Sequence, residues 1–420
     1  MEYLTIVYYK SFKGDFVIYD TNEDTFYRSY ELPLDCNKFE LNKKFPAKKS
    51  GLKAFYEKLV ADNTFIKSCK KDIGILYDIF NPEYKKSNGT IGLFYKMSNS
   101  LALNFLKRYV SFASLDYDKV SMTEFQLYEK TYNAGIYYAN KGVYKNAYMY
   151  DFRMMYPRCM ASDKFYFPCY DKGNWVEFKR VQKTNIYKYG IYHCRITVHD
   201  ENVKKIFMTS KDDYYTHYDL ESAHKLLSVY KDSLTIKPLG KAYVYDEDTL
   251  EKGNDIFSQW YNALVKLKEK DPKNIIVKTV SSSVWGYLCQ KQTKKMRLSD
   301  VTDDMDFALD ITEITDETTH VIFDYTPCED DSYSYYDLLH VNDSPQKYPF
   351  RLKPFLTSFA RLQMVKALMM QLPYVVKINT DGFVMTKPFP DKIKTLIYEG
   401  HAKVEVKNCM QLDILEEYDD

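Results

Sequence analysis

The sequence predicts an α+β fold, and three observations carry that prediction. Helical and strand-like stretches alternate without the regular spacing of βαβ units, which argues against a doubly wound parallel sheet. The run "YNAGIYYANKGVYKNAYMYD" is rich in turn residues and its tyrosines alternate, as in closely spaced strands. "VVKINTDGFVM", Val375 to Met385, sets Asn, Asp and Gly between two apolar runs, the pattern of a tight hairpin.

Taken in order, residues 1–60 alternate apolar runs ("YLTIVYY", "DFVIYD") with polar turns, predicting a small mixed sheet followed by the helix "GLKAFYEKLV". "DIGILYDIF" and "SLALNFLKRYV" have helical apolar spacing. Strand-like tyrosines then lead to Asp151. "YKYGIYHCRITVHD" reads as a strand and "YDLESAHKLLSVY" as a helix opened by Asp219. "NDIFSQWYNALVKLKEKDPKNIIVKTVSSSVWGYL" is one long helical stretch, and the acidic, turn-rich region from Ser299 to Ser344 reads as an inserted subdomain. "PFLTSFARLQMVKALMMQLP" is an amphipathic helix ended by Pro373, leading into the hairpin.

At 420 residues the chain has room for two or three domains. Its 59 basic and 58 acidic side chains give a formal charge of +1, so any nucleic-acid groove must be local. The eight cysteines show no Cys-x-x-Cys pair, and His193–Cys194 has no second pair to complete a zinc site, so reduced thiols are expected. The start "MEYLTIVYYKSFKGDF" interrupts its apolar stretch with Lys and Asp, unlike a signal peptide or spanning helix. A cytoplasmic protein without membrane partner is expected, in a host cytoplasm if it is viral.

Chemistry can sit in three places. In "AYMYDFRMMYP" Asp151 leaves a strand; it can cap the next helix or, with the neighbouring Phe152 carbonyl, hold a hard cation such as Mg²⁺. Tyr156 follows, placed to press on a bound sugar. In "KTVSSSVWG" Lys278 and Ser282 share a helix face, with Lys266 further back; such a face is either simply solvated or suited to a triphosphate. In the hairpin, Asp381 is either a turn residue or a second metal ligand.

The order Asp at a strand end, Lys on a helix, Asp at a hairpin tip resembles motifs A, B and C of template-dependent polymerases. "DFRMMYP" resembles the family B pattern D-x-x-S-L-Y-P, with Asp151, Tyr156 and Pro157 matching. "KTVSSSVWG" is similar to K-x-x-x-N-S-x-Y-G, with Ser282 for Asn and Trp285 for Tyr. "NTDG" resembles D-T-D-S, with Asn379 and Gly382 at the outer positions. "YNAG", Tyr132 to Gly135, resembles the Y-x-G-G linker of the protein-primed branch of family B, from phages and linear plasmids. That resemblance covers about residues 130–410.

The resemblance implies a right-hand polymerase fold with an antiparallel palm sheet, helical fingers and two insertions. It divides the chain into a reduced exonuclease-like domain (1–130), palm with the first insertion (131–250), fingers (251–290), second insertion (291–345), palm (346–388) and a thumb-like tail (389–420). It implies two Mg²⁺ ions, with Mn²⁺ as a substitute, on Asp151, Phe152 and Asp381, and Lys278 and Lys266 on the triphosphate beside Ser282. Tyr156 would select deoxynucleotides; Tyr132, Gly135 and Lys403, from "HAKVEV" in place of K-x-Y, would contact DNA. The partners implied are a primer-template, a dNTP, a terminal protein supplying the first hydroxyl, and a second polypeptide for missing thumb or exonuclease functions.

Departures from the pattern set further expectations. No D-x-E strand motif precedes "YNAG": "YDTNED" (Tyr19 to Asp24) reads as a polar turn, and "SCKKDIGILYDIF" offers Asp72 but Ser68 where Tyr is expected. An enzyme without proofreading is expected, with a short thumb. Asn379 and Ser282 leave open a catalytically weak or inactive subunit that binds DNA or a partner. Reverse transcription is a further alternative, opposed by the lack of paired aspartates at the hairpin tip.

Overall fold

The computed structural model describes residues 98–390, apart from 145, 183–186, 273, 298–299, 301, 303–304, 310–312 and 327–334. It also describes the strands Leu4–Val7, Val17–Asp20, Thr25–Arg28, Lys407–Cys409 and Leu412–Ile414. The chain forms two compact units, Met1–Phe112 with Gln259–Tyr287, and Ala113–Ser258 with Leu288–Asp420.

The first unit contains an antiparallel sheet of Leu4–Val7, Val17–Asp20 and Thr25–Arg28 in chain order. Asp20 pairs with Thr25, while residues 21–24 of "YDTNED", expected as a polar turn, lie outside the described residues. Ser98–Lys107 is helical, as its spacing predicts, with Ala102, Leu103, Phe105 and Leu106 buried. The predicted helices "GLKAFYEKLV" and "DIGILYDIF", including Ser68 and Asp72, lie outside the described residues.

The long helical stretch is two helices, Gly253–Lys270 and Ile275–Leu288. Pro272 disfavours helical backbone in the residue before it. Asn274 restarts the helix: its side-chain carbonyl accepts the Val277 N–H at 3.3 Å and its backbone carbonyl the Lys278 N–H at 3.1 Å. Trp260, Tyr261, Leu264 and Leu267 are buried on the first helix, and Val277, Val280 and Val284 on the second.

In the second unit, α1 (Met122–Lys130) is opened by a capping box between Ser121 and Glu124. Strands β1 (Tyr137–Ala139) and β2 (Ala147–Asp151) follow, then the short α2 (Met155–Met160). Helix α3 (His217–Val229) is capped by Thr216, not by Asp219 as expected; Asp219 is the third helical residue and closes the box by accepting the Thr216 N–H at 3.1 Å.

Helix α4 (Lys353–Leu368) was expected to be amphipathic, yet thirteen of its sixteen residues are buried. Its polar positions are inside because they are bonded there: Thr357 and Ser358 donate to the Lys353 and Pro354 carbonyls at 2.9 and 2.7 Å. It ends at Leu368, ahead of Pro373, which sits in a 3₁₀ turn, Leu372–Tyr374. Strands β3 (Val375–Asn379) and β4 (Gly382–Met385) follow, and Lys205 Nζ donates to the Leu372 and Val375 carbonyls beneath them at 2.9 and 3.2 Å.

The central sheet is antiparallel, in the order Lys407–Cys409, β2, β4, β3, β1. Ala139, Ala147, Val376 and Val384 pack together. Tyr150 stacks on Phe383 at 5.1 Å, with Phe389 against both. Both pleat faces therefore bury apolar side chains, which makes this sheet a stiff base for what its strand ends carry. Two four-stranded sheets lie between β2 and β3 in sequence: Gly173–Phe178, Gly190–Val198, Tyr214–Thr216 and Leu234–Tyr245 form one, and the acidic stretch contributes most of the other. In the first of these His193 stacks on Tyr214 while Cys194, the next residue, is buried, as strand alternation requires.

Arg351 and Glu124 are both fully buried and paired, Nε to Oε1 at 2.8 Å and Nη2 to Oε2 at 3.0 Å. The remaining guanidinium hydrogens go to the Asp118, Cys169 and Lys119 carbonyls at 2.8, 3.0 and 3.0 Å, so all five donors are used. Among the described residues no helix is long and apolar enough to cross a membrane.

Candidate active site

Asp151 is the last residue of β2, and its register partner is Gly382, the first residue of β4. The β3–β4 hairpin closes on the Asn379–Gly382 pair, so Thr380 and Asp381 form its loop. The Phe152 N–H donates to the Asp381 carbonyl at 2.9 Å, stitching the residue after one aspartate to the other. Both aspartates thus stand at one end of adjacent strands, Asp151 exposed and Asp381 half-buried.

The capping alternative for Asp151 fails. Helix α2 starts after Met154, which is in the left-handed region (φ 56°) and makes no side-chain cap bond. Asp381 is a residue of the two-residue turn. In this loop the positive φ falls on Thr380 (58°), not on Asp381 or Gly382. A β-branched residue is a poor choice for that conformation, which ordinary hairpins give to Gly or Asn.

The segment before β1 lies against this loop. The Thr380 N–H donates to the Ile136 carbonyl at 2.8 Å, and its hydroxyl to Tyr137 Oη at 3.1 Å. Tyr132 Oη donates to the Gly135 carbonyl at 3.0 Å. From α4, Arg361 donates to the Ala134 carbonyl at 2.8 Å and to Asp219 Oδ1 at 2.9 Å, and lies 5.1 Å from the Tyr132 ring centroid. Of the two residues expected to contact DNA, Gly135 is buried and Tyr132 half-buried beside the hairpin.

Tyr156, on α2, is half-buried. Burial pushes its hydroxyl far above the ordinary range; Arg361 opposes this, while Cys159, Asp381 and Tyr137 add to it. Its hydroxyl therefore stays protonated, within electrostatic reach of the hairpin aspartate.

Lys266, Lys278 and Ser282 are exposed on the two helices of the other unit, opposite the buried valines in the case of Lys278 and Ser282. Ser282 Oγ donates to the Thr279 carbonyl at 3.3 Å. Lys403 lies outside the described residues.

Asp151, Asp381 and the Phe152 carbonyl make an all-oxygen donor set. Among the described residues no group of three or more His, Cys, Asp or Glu could hold a metal, so the pair does not form a closed cage. Mg²⁺ suits such a pair, because it is commonly bound by one or two carboxylates and keeps waters and substrate phosphates as its other ligands. Asn379 supplies no charge.

Sequence reasoning missed Tyr137 and Arg361, and named Thr380 only within the hairpin motif and Asp219 only as the opener of a helix. One signal was available: a lone arginine inside the apolar run "FLTSFARLQM" needs a buried acceptor.

No family model matches the chain, and no curated protein does. Among solved structures it is similar to phi29 DNA polymerase complexed with primer-template DNA and incoming nucleotide substrates, at 14% identity and a TM-score of 0.46, over 74% of this chain and 51% of that one. An orthorhombic crystal form of phi29 DNA polymerase gives 14% and 0.46, over 72% and 51%. Its complex with single-stranded DNA gives 15% and 0.44, over 71% and 49%. The chain spans about half the length of these structures.

Proposed function

We propose that this chain is a template-dependent DNA polymerase whose metal-binding residues are Asp151 and Asp381. The observation that supports this most is the pairing of two aspartates at adjacent strand ends, joined by the bond from the Phe152 N–H to the Asp381 carbonyl. Asp151, Asp381 and the Phe152 carbonyl would hold Mg²⁺ or Mn²⁺, which when bound makes a hydroxyl a better nucleophile and offsets charge on a leaving pyrophosphate.

The chain's own residues do the rest. The Tyr156 ring packs under the sugar and excludes a 2′-hydroxyl. By the sequence resemblance alone, Lys278 and Lys266 would bring positive charge to the triphosphate, with Ser282 as a donor beside them. Lys403 contacts DNA. The first hydroxyl comes from a Ser, Thr or Tyr of a terminal protein and later ones from the growing 3′ end; support for this step is the sequence resemblance alone. A second reading, a weakly active or inactive DNA-binding subunit, is favoured by the neutral Asn379 at the end of β3.

Offering each dNTP singly, with Mg²⁺, to a primer-template of defined next base tests the proposal. Extension by the complementary nucleotide only is expected. Binding of the primer-template without any extension in Mg²⁺ or Mn²⁺ supports the second reading, and extension indifferent to the template base contradicts both.

A further inference from the structure

We infer that residues 134–137 form a strap that sets the aim of Asp381, with Gly135, Tyr137 and Thr380 as positioning residues. What Asp381 does rests on the polymerase reading; where it points does not.

A threonine at φ 58° persists only where its surroundings over-determine it. Three contacts do so: the Thr380 N–H to the Ile136 carbonyl at 2.8 Å, its hydroxyl to Tyr137 Oη at 3.1 Å, and close approach to Gly135. A Cβ on Gly135 would stand 2.6 Å from Thr380 Oγ1, 2.9 Å from Cγ2 and 3.0 Å from Cα. Rotating the threonine side chain cannot relieve the last of these, since Cα is backbone. The described glycines with positive φ are Gly142 and Gly240, so Gly135 is required for space and not for conformation.

The strap is anchored at its far side. Ala134 is held by Arg361, which is in turn paired with Asp219, and Tyr137 is in register with Asn379 across β1 and β3. A shift of Thr380 therefore passes into the peptide that follows it. That peptide leads to Asp381, whose carbonyl is tied to Phe152 beside Asp151. A methyl at position 135 turns the Asp381 carboxylate relative to Asp151 without touching either.

The full chain carrying Gly135→Ala is compared with wild type by thermal melting, by the carbon shifts of selectively labelled Thr380, by Mn²⁺ binding in paramagnetic resonance and by single-nucleotide incorporation. The expected result is cooperative melting, displaced Thr380 signals, and Mn²⁺ affinity and kcat each lower by about tenfold or more, with KM for the dNTP little changed. Adding Thr380→Gly removes two of the three colliding atoms and accepts the left-handed conformation, but also removes the hydroxyl bonded to Tyr137, so it should recover part of both. Unmoved Thr380 signals and Mn²⁺ affinity in Gly135→Ala, or an added Thr380→Gly that recovers none of the lost Mn²⁺ affinity and kcat, overturns the strap. If Gly135→Ala does not fold, Tyr137→Phe, which deletes only a hydroxyl, is read in the same way with smaller shifts. Wild type that neither incorporates nucleotide nor binds Mn²⁺ strikes the polymerase reading, while the Thr380 signals still decide the strap.

Discussion

Two carboxylate sites in the same unit are built in opposite ways. Glu124 is fully buried; its oxygens accept from Arg351, Tyr245 and Ser121, and every donor of the arginine is used. Asp151 and Asp381 stand at strand ends, one exposed and one half-buried, beside a threonine held in a strained backbone conformation. The first arrangement joins α1 to the segment entering α4 and leaves no capacity for a ligand. The second carries its strain at the point where a ligand can reach. The difference teaches that a carboxylate's surroundings, more than its identity, decide whether a ligand can reach it.

Glu124→Ala should break the comparison most visibly. It leaves a buried guanidinium without its counter-ion and should cost about 3–5 kcal/mol in urea denaturation, while the folded fraction keeps its rate of nucleotide incorporation. Asp151→Ala should do the reverse. Incorporation should fall by at least about a hundredfold, and stability should change by no more than about 0.5 kcal/mol because an exposed residue is removed. A smaller effect is expected from Tyr156→Val: the preference for dNTP over NTP, read from the ratio of kcat/KM values, should narrow by roughly tenfold.

A separate effect is one of pH. Burial pushes the imidazole of His217 down to about 3. Its pKa in the unfolded chain is about 6.5, so between these values the unfolded state binds the extra proton. Stability contributed here is present above about 6.5 and is lost as pH falls toward 3. Unfolding free energy measured across that window should decline in wild type and decline less steeply in His217→Phe.

Legibility in the sequence followed the range of the interaction. The hairpin and the end of β2 could be read because each is a local apolar run closed by polar residues. The break at Pro272 is equally local, but it was read as part of one helical stretch. Helix α4 was misjudged because pattern reading assigns Thr357, Ser358 and Arg361 to solvent, whereas each finds its partner inside. Arg351 and Glu124 lie 227 positions apart, and no local pattern links them. Gly135 was visible as part of "YNAG", but Thr380, the residue it must clear, is far from it along the chain.

The central claim is that Asp381 at the hairpin tip serves chemistry and not the turn. Its most direct test is the single-turnover rate of complementary dNTP incorporation by Asp381→Ala, measured beside its melting temperature and primer-template affinity. The account predicts a rate lower by at least about a hundredfold, with melting and DNA affinity close to wild type. Incorporation at the wild-type rate would contradict it and make Asp381 a turn residue.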